Sequence, residues 1–237
     1  MSNRSAFGSA AEELRNAVDA GTSLCRPFLR VLPVTGAAVS TLGAPFGSET
    51  VCASDDQAAR LDELQFDLGE GPCWDALGRH RPSLTDDLAR ESSRWPLFTQ
   101  AVADTSVRAM FAFPLALGSL AIGAVDLYTL EPRSLSAAQV EDAQALAAIC
   151  SRQVLKRALA AHPLAPDDAP TEGFSRREVH QATGMVLAQL GLSAADALLV
   201  IHGYAFSRGL TVREVAAEIV ARRLDFAEEW SGPGESL

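Results

Sequence analysis

The chain has 237 residues, 48% hydrophobic and 21% charged, with a formal net charge of −10 from 20 Lys and Arg against 30 Asp and Glu. That balance describes a folded globular chain and excludes intrinsic disorder. Its sign excludes a general nucleic-acid or acidic-membrane binder, so any such role has to rest on a local patch.

No apolar run is long enough to span a bilayer, and MSNRSAFGSAAEELRNAV has no apolar core after Arg4, so neither a membrane span nor a signal peptide is expected and the location reads as cytoplasmic. Cys25, Cys52, Cys73 and Cys150 form no C-x-x-C pair and have no histidine at ligand spacing. They read as thiols, with no metal site.

In chain order, residues 9–32 carry Leu14, Val18, Leu24, Phe28 and Leu32 on roughly one side, which predicts an amphipathic helix. TGAAVSTL and SETVCAS follow as strands split by GAPFGS, a Gly/Pro hairpin signal. RWPLFTQAVADT has a helical period. Residues 107–129 read as two long strands turning at Gly118 and Ser119, and a long Ala- and Leu-rich helix starts behind a capping Ser136. Helix, hairpin, helical crossing segment, hairpin, helix is an α+β order: an antiparallel sheet carrying helices.

The stretches GEGPCWDAL, RWPLFTQA, VRAMFAFPLAL and LAIGAVDLYTLEPRSLSAAQ resemble a GAF domain over roughly residues 10–160. The resemblance implies a sensor of small molecules or redox state, or a dimerisation platform, with a pocket between sheet and crossing segment. Its ligand is unknown; no bilin-attachment cysteine or haem histidine stands out. Cys73 and Trp74, behind Gly69-Glu70-Gly71-Pro72, are the candidate pocket residues; the alternative is a buried cysteine beside a core tryptophan. His80 reads as a surface residue.

Pro163, Pro166 and Pro170 break the chain at 161–173, which reads as a linker. Residues 174–226 then read as three short helices. Val179, Val186 and Leu190 share one side of the first, with Ala182 at its edge; Arg177, Gln181, Gly184 and Ala188 share another. Small residues there let a second surface approach, or Gly184 touches a neighbouring helix of the same unit. Gly191 ends this helix. Ser193 caps the next, whose inner side holds Ala197, Leu198, Ile201 and Ala205. Gly209 stops it, and Thr211 caps the third, with Val215, Ile219 and Val220 inward. Residues 227–237 read as a tail.

HQATGMVLAQLGLSAADAL, YAF and REVAAEIVARR closely resemble an ANTAR domain, and a GAF domain followed by ANTAR is a known pairing. The resemblance implies a homodimeric, signal-responsive transcription antiterminator whose ANTAR domain binds paired RNA stem-loops, blocking a terminator hairpin without making or breaking a bond. The candidate RNA-binding residues are Arg176, Arg177, His180, Gln181, Gly184, Arg208 and Arg213. Thr183 stands where many members have lysine, His202 where arginine is common, and Leu210-Thr211 where Arg-Pro is frequent. Residues 174–226 carry six arginines against five acids, a net +1 that leaves −11 for the remainder. These departures keep open an interaction module with weak or lost RNA binding. No catalytic constellation is found, so an enzyme on the GAF fold has no support. Val140, Ala143, Ala147, Cys150 and Val154 form a seam suited to a homodimer or to the chain's own first helix.

Overall fold

The computed structural model of the chain describes residues 3–17, 22–43, 46–161 and 177–229. It divides into two compact units, Met1–Phe174 and Ser175–Leu237. The expected linker, 161–173, falls almost wholly outside the described residues.

The first unit is built on a five-stranded antiparallel sheet in the order β2-β1-β5-β4-β3, with β1 Gly36–Thr41, β2 Glu49–Ala53, β3 Ser83–Thr85, β4 Ala109–Leu117 and β5 Leu120–Thr129. Helices α1 (Asn3–Asn16), α2 (Arg26–Val31) and α6 (Ala137–Ala161) cover one face. Helices α3 (Asp56–Leu68), α4 (Pro72–Arg79) and α5 (Pro96–Val102) cover the other. Strand alternation divides the core accordingly. Val39, Phe111, Phe113, Val125 and Leu127 join Leu14, Phe28 and Leu146 on the first face. Ala38, Met110 and Tyr128 join Leu61, Trp95 and Phe98 on the second.

The single helix expected over 9–32 is two helices, and the second opens with Pro27 in its first turn, where a missing N–H costs nothing. Its apolar face was read correctly: Leu14, Leu24, Phe28 and Leu32 are all buried. Val18 lies outside the described residues. Helices α3 and α4 were not anticipated, although their signals are local: Asp55 caps α3, Leu61 and Leu64 line its buried side, and Gly69 ends it in the left-handed region. Ser136 caps α6 as expected, in a reciprocal pair with Gln139.

Two expectations are corrected. Cys25 and Cys52 are joined in a disulfide, their Cα atoms 6.3 Å apart; β2 pairing with β1 brings Cys52 beside the start of α2, a closeness that a separation of 27 residues conceals. Cys73 and Cys150 are buried thiols. The α6 seam is spent inside the chain: Ala143, Ala147, Cys150 and Val154 are buried in the core that α1 and the sheet share with this helix, so its partner is the alternative first read for it, the chain's own first helix. Burial pushes the Cys150 thiol up to about 12, leaving an unreactive core residue.

β1 and β5 approach so closely at Gly123 that a Cβ there would stand on the carbonyl oxygen of Ser40. Gly123→Ala is therefore expected to destabilise the first unit by about 2 kcal/mol or more, the scale of overpacking a core. Urea denaturation measures this, and an unchanged midpoint would contradict the close approach.

Candidate functional site

The space between the sheet and α3 lies on the sheet face that carries α3, α4 and α5. It holds a buried polar cluster. The Asp62 carboxylate on α3 accepts from Ser40 Oγ at 2.5 Å and from Thr50 Oγ1. Gln65, one turn on and fully buried, donates from Nε2 to Asp126 Oδ2 at 2.7 Å. Its Oε1 accepts from the Cys73 N–H at 2.8 Å, and its main-chain oxygen accepts from Trp74 Nε1 at 2.6 Å.

Asp126 sits mid-sheet on β5, 5% exposed, and its Oδ1 has no hydrogen-bond partner among the described residues. Burial, reinforced by the Asp62 charge and opposed by the Gln65 hydrogen bond, pushes its carboxyl up to about 8. At neutral pH it is a protonated acid able to donate one hydrogen bond. The adjoining cleft, between Ala38, Ala58, Leu61, Met110 and Tyr128, is too thin to admit a water molecule.

Cys73 and Trp74 do not line that cleft. They pack with Leu42, Leu77 and Ala124 in a separate small cluster, Cys73 buried and Trp74 half-buried. The Gly-Glu-Gly-Pro stretch before them is a junction. Gly69 closes α3, and Glu70 Oε1 accepts from the Phe98 N–H at 2.6 Å, capping α5 across the unit. Gly71, at φ +133°, begins α4 ahead of Pro72. A Cβ at Gly71 would press into the Gln65 side chain at 2.7 Å. His80 is exposed at the end of α4.

In the second unit α7 (Arg177–Leu190), α8 (Ala194–Arg208) and α9 (Val212–Val220) pack around Val179, Ala182, Val186, Ala197, Ile201, Ala205, Val215 and Ile219. Ser193 accepts from the Asp196 N–H at 3.2 Å, and Thr211 and Glu214 form a full capping box. Gly191 and Gly209 end their helices in the left-handed region. A short helix, α10 (Phe226–Glu229), closes the bundle: buried Phe226 meets the Tyr204 ring edge-on at 5.2 Å. The sequence reading placed Phe226 at the unit's last position and left the rest of α10 in a tail.

Arg176 lies outside the described residues, as does the side chain of Arg177, which begins α7. His180, Gln181, Gly184 and Ala188 are exposed on α7. A Cβ at Gly184 would meet nothing within 4 Å, so the glycine is not a contact with a neighbouring helix, which corrects that alternative. Arg208 and Arg213 are exposed at the α8–α9 turn, Arg208 stacked 5.2 Å from the Tyr204 ring. Thr183 is half-buried, its hydroxyl tied to the Val179 carbonyl at 2.7 Å. Arg223, just past the end of α9, is held back onto that helix by Glu218 through two 2.8 Å contacts.

A GAF-domain model matches residues 15–152 and an ANTAR-domain model residues 174–220. The chain belongs to the GAF–ANTAR regulators. No curated protein matches it. The first unit is similar to the GAF domain of the phosphoenolpyruvate-protein phosphotransferase of Acinetobacter, at 13% identity and TM-score 0.55, covering 70% of this chain and all of that one. The corresponding domain from Coxiella burnetii gives 14% identity and TM-score 0.50, over 68% of this chain and 97% of that one. At such identities the likeness shows the fold alone. GAF and ANTAR domains are regulatory rather than catalytic. Among the described residues no helix is long and apolar enough to cross a membrane.

Two outcomes follow from this geometry. The Asp126 carboxyl binds its proton more tightly folded than unfolded, so the stability it contributes is full below pH 4 and lost as pH rises towards 8. Across that window wild type should lose up to about 1.4 kcal/mol per pH unit relative to Asp126→Asn, measured by urea denaturation at pH 5, 6, 7 and 8. Parallel profiles would show that Asp126 carries no such proton. Gly184→Ala should stabilise the ANTAR domain by about 0.5–1 kcal/mol, because a helix-interior glycine with nothing above it gains from a methyl group. A loss of stability in the same assay would mean that the glycine is covered.

Proposed function

We propose that this chain is a signal-responsive antiterminator: its ANTAR domain binds paired stem-loops in nascent RNA and keeps a terminator hairpin from forming, under control of the GAF domain. The observation that carries the reading is the ANTAR match over 174–220 on a three-helix unit whose α7 leaves His180, Gln181, Gly184 and Ala188 open to solvent. Helix backbones reach a folded RNA closely only where side chains are small, and a few placed cations suffice when unpaired bases are read. Arg177, Arg208 and Arg213 are the cations of this reading, with Arg176 just ahead of the described helix. The signal reaches the GAF domain at the sheet–α3 cleft, which has to open to take a ligand. A regulator of nascent RNA works in the cytoplasm.

A second reading, an interaction module with weak RNA binding, is favoured by one specific observation. Thr183, where many family members carry lysine, brings no charge and uses its hydroxyl on its own helix.

An RNA with two adjacent small stem-loops should bind the full chain, and duplex DNA of equal length should not. With two to four phosphates neutralised, the log–log salt slope should be about 0.7–0.9 per phosphate. Arg213→Ala should weaken all RNAs alike, by roughly the tenfold that 1.4 kcal/mol represents, since a phosphate contact carries no sequence information. Fluorescence anisotropy measures each. Failure of the wild-type chain to bind any paired stem-loop RNA would replace this reading with the second.

A further inference from the structure

Strand β2 stands at one edge of the sheet, next to β1. Its pairing with β1 slips by one residue: Val39 lies opposite Cys52 and Ser40 opposite Thr50, which leaves Val51 as the extra residue of a bulge. In a regular strand, residues two apart point to the same side of the sheet. Across this bulge, Thr50 and Cys52 point to opposite sides. Thr50 Oγ1 donates to Asp62 Oδ2 on α3, on the second face. Val51 and Cys52 pack against the core of the first face, where Cys52 is bonded to Cys25 at the start of α2. A strand of five residues thus carries a covalent tie on one face and a buried hydrogen bond on the other.

We propose that the Cys25–Cys52 bond is a reversible clamp. Closed, it holds β2 where Thr50 reaches Asp62. Opened by a dithiol, it frees the edge strand and loosens the α3–α4 layer on the opposite face. The chain of contacts is short. Asp62 is buried and accepts from two sheet hydroxyls, Ser40 on β1 and Thr50 on β2. A buried carboxylate that loses a donor is destabilised where it stands. Gln65, one turn further along α3, carries the contacts to Asp126, Cys73 and Trp74, so a shift of α3 at Asp62 is passed to the start of α4.

Access and compartment favour a bond that opens. Cys25 is fully buried, whereas Cys52 is half-buried on the edge strand, so an attacking thiolate meets Cys52 Sγ. The attack breaks the bond, forms a mixed disulfide on Cys52 and releases Cys25 as a thiol. The second thiol of the dithiol then closes its own disulfide and releases Cys52. Two electrons and two protons pass to the protein, and the dithiol is oxidised. A protein that works on nascent RNA stands in a reducing compartment, where disulfides are transient rather than permanent braces. That last step rests on the function proposed above; the geometry of the clamp does not.

The test is hydrogen exchange of the full-length chain, read by mass spectrometry, with the bond closed by oxidised glutathione and then opened by millimolar dithiothreitol. Thiol labelling after denaturation should find Cys73 and Cys150 alone in the closed state, and all four cysteines once the folded chain has been treated with dithiothreitol. Opening should speed exchange about tenfold in residues 49–53 and 62–75, while β4 and β5 change less than about twofold. Cys52→Ser should exchange like the opened wild type in either buffer. Thr50→Val keeps the bond and breaks the relay: residues 62–75 should exchange fast with the bond closed, and opening should add nothing there. Four free thiols after oxidation, a bond that dithiothreitol leaves intact in the folded chain, loosening confined to 49–53, or loosening spread evenly over the sheet would each overturn the proposal. A chain that shows these shifts but binds no stem-loop RNA would retire the function proposed above and keep the clamp. A chain that binds RNA with its exchange unchanged would do the reverse.

Discussion

The first unit depends on one buried amide. Gln65 reaches from α3 to the middle strand of the sheet through Asp126, and to the start of α4 through the Cys73 N–H and the Trp74 indole. An amide can do this because it offers a donor and an acceptor from one planar group. With Gln65 in place, α3 and α4 are held at fixed height above β5, and the cleft beneath them is thin. The cleft and this network share one residue, Asp126. Asp126 lies under the same contact with an unused oxygen, which makes the proton on that carboxyl part of the same balance.

The two units differ in how far their helices define themselves. Helices α8 and α9 open on their own Ser193 and Thr211, and the two turns between the three ANTAR helices rest on Gly191 and Gly209. Helices α4 and α5 open on prolines after residues that supply no side-chain cap, and α5 borrows Glu70 from the loop between α3 and α4. The crossing layer of the GAF domain is thus specified by contacts between segments rather than within them.

That difference governs what the sequence disclosed. The three ANTAR helices, their caps and their buried residues were legible because each signal lies within four residues of its effect. The two hairpins were legible from alternation and turns. Helix α3 carries its own local signals in Asp55, Leu61, Leu64 and Gly69. The disulfide was hidden because only the packing of β2 beside α2 brings Cys25 to Cys52. The spacing on α6 correctly marked a buried stripe, yet periodicity cannot name what covers it: α1 and the sheet do. Among the candidate RNA-binding residues, exposure of His180, Gln181, Gly184, Arg208 and Arg213 follows from the inward set.

The central pairing of the sheet joins β1 to β5, with Gly36 opposite Tyr128. Its two partners are far apart in the chain, and long-range pairing of this kind is slow to form. The ANTAR domain has shorter-range requirements, since even its α7–α9 pairing lies within residues 177–220. During synthesis, β1 has to wait on the ribosome for β5 to emerge, keeping Ala37, Val39 and the α2 residues exposed meanwhile. The later of the two units is the one that folds without waiting.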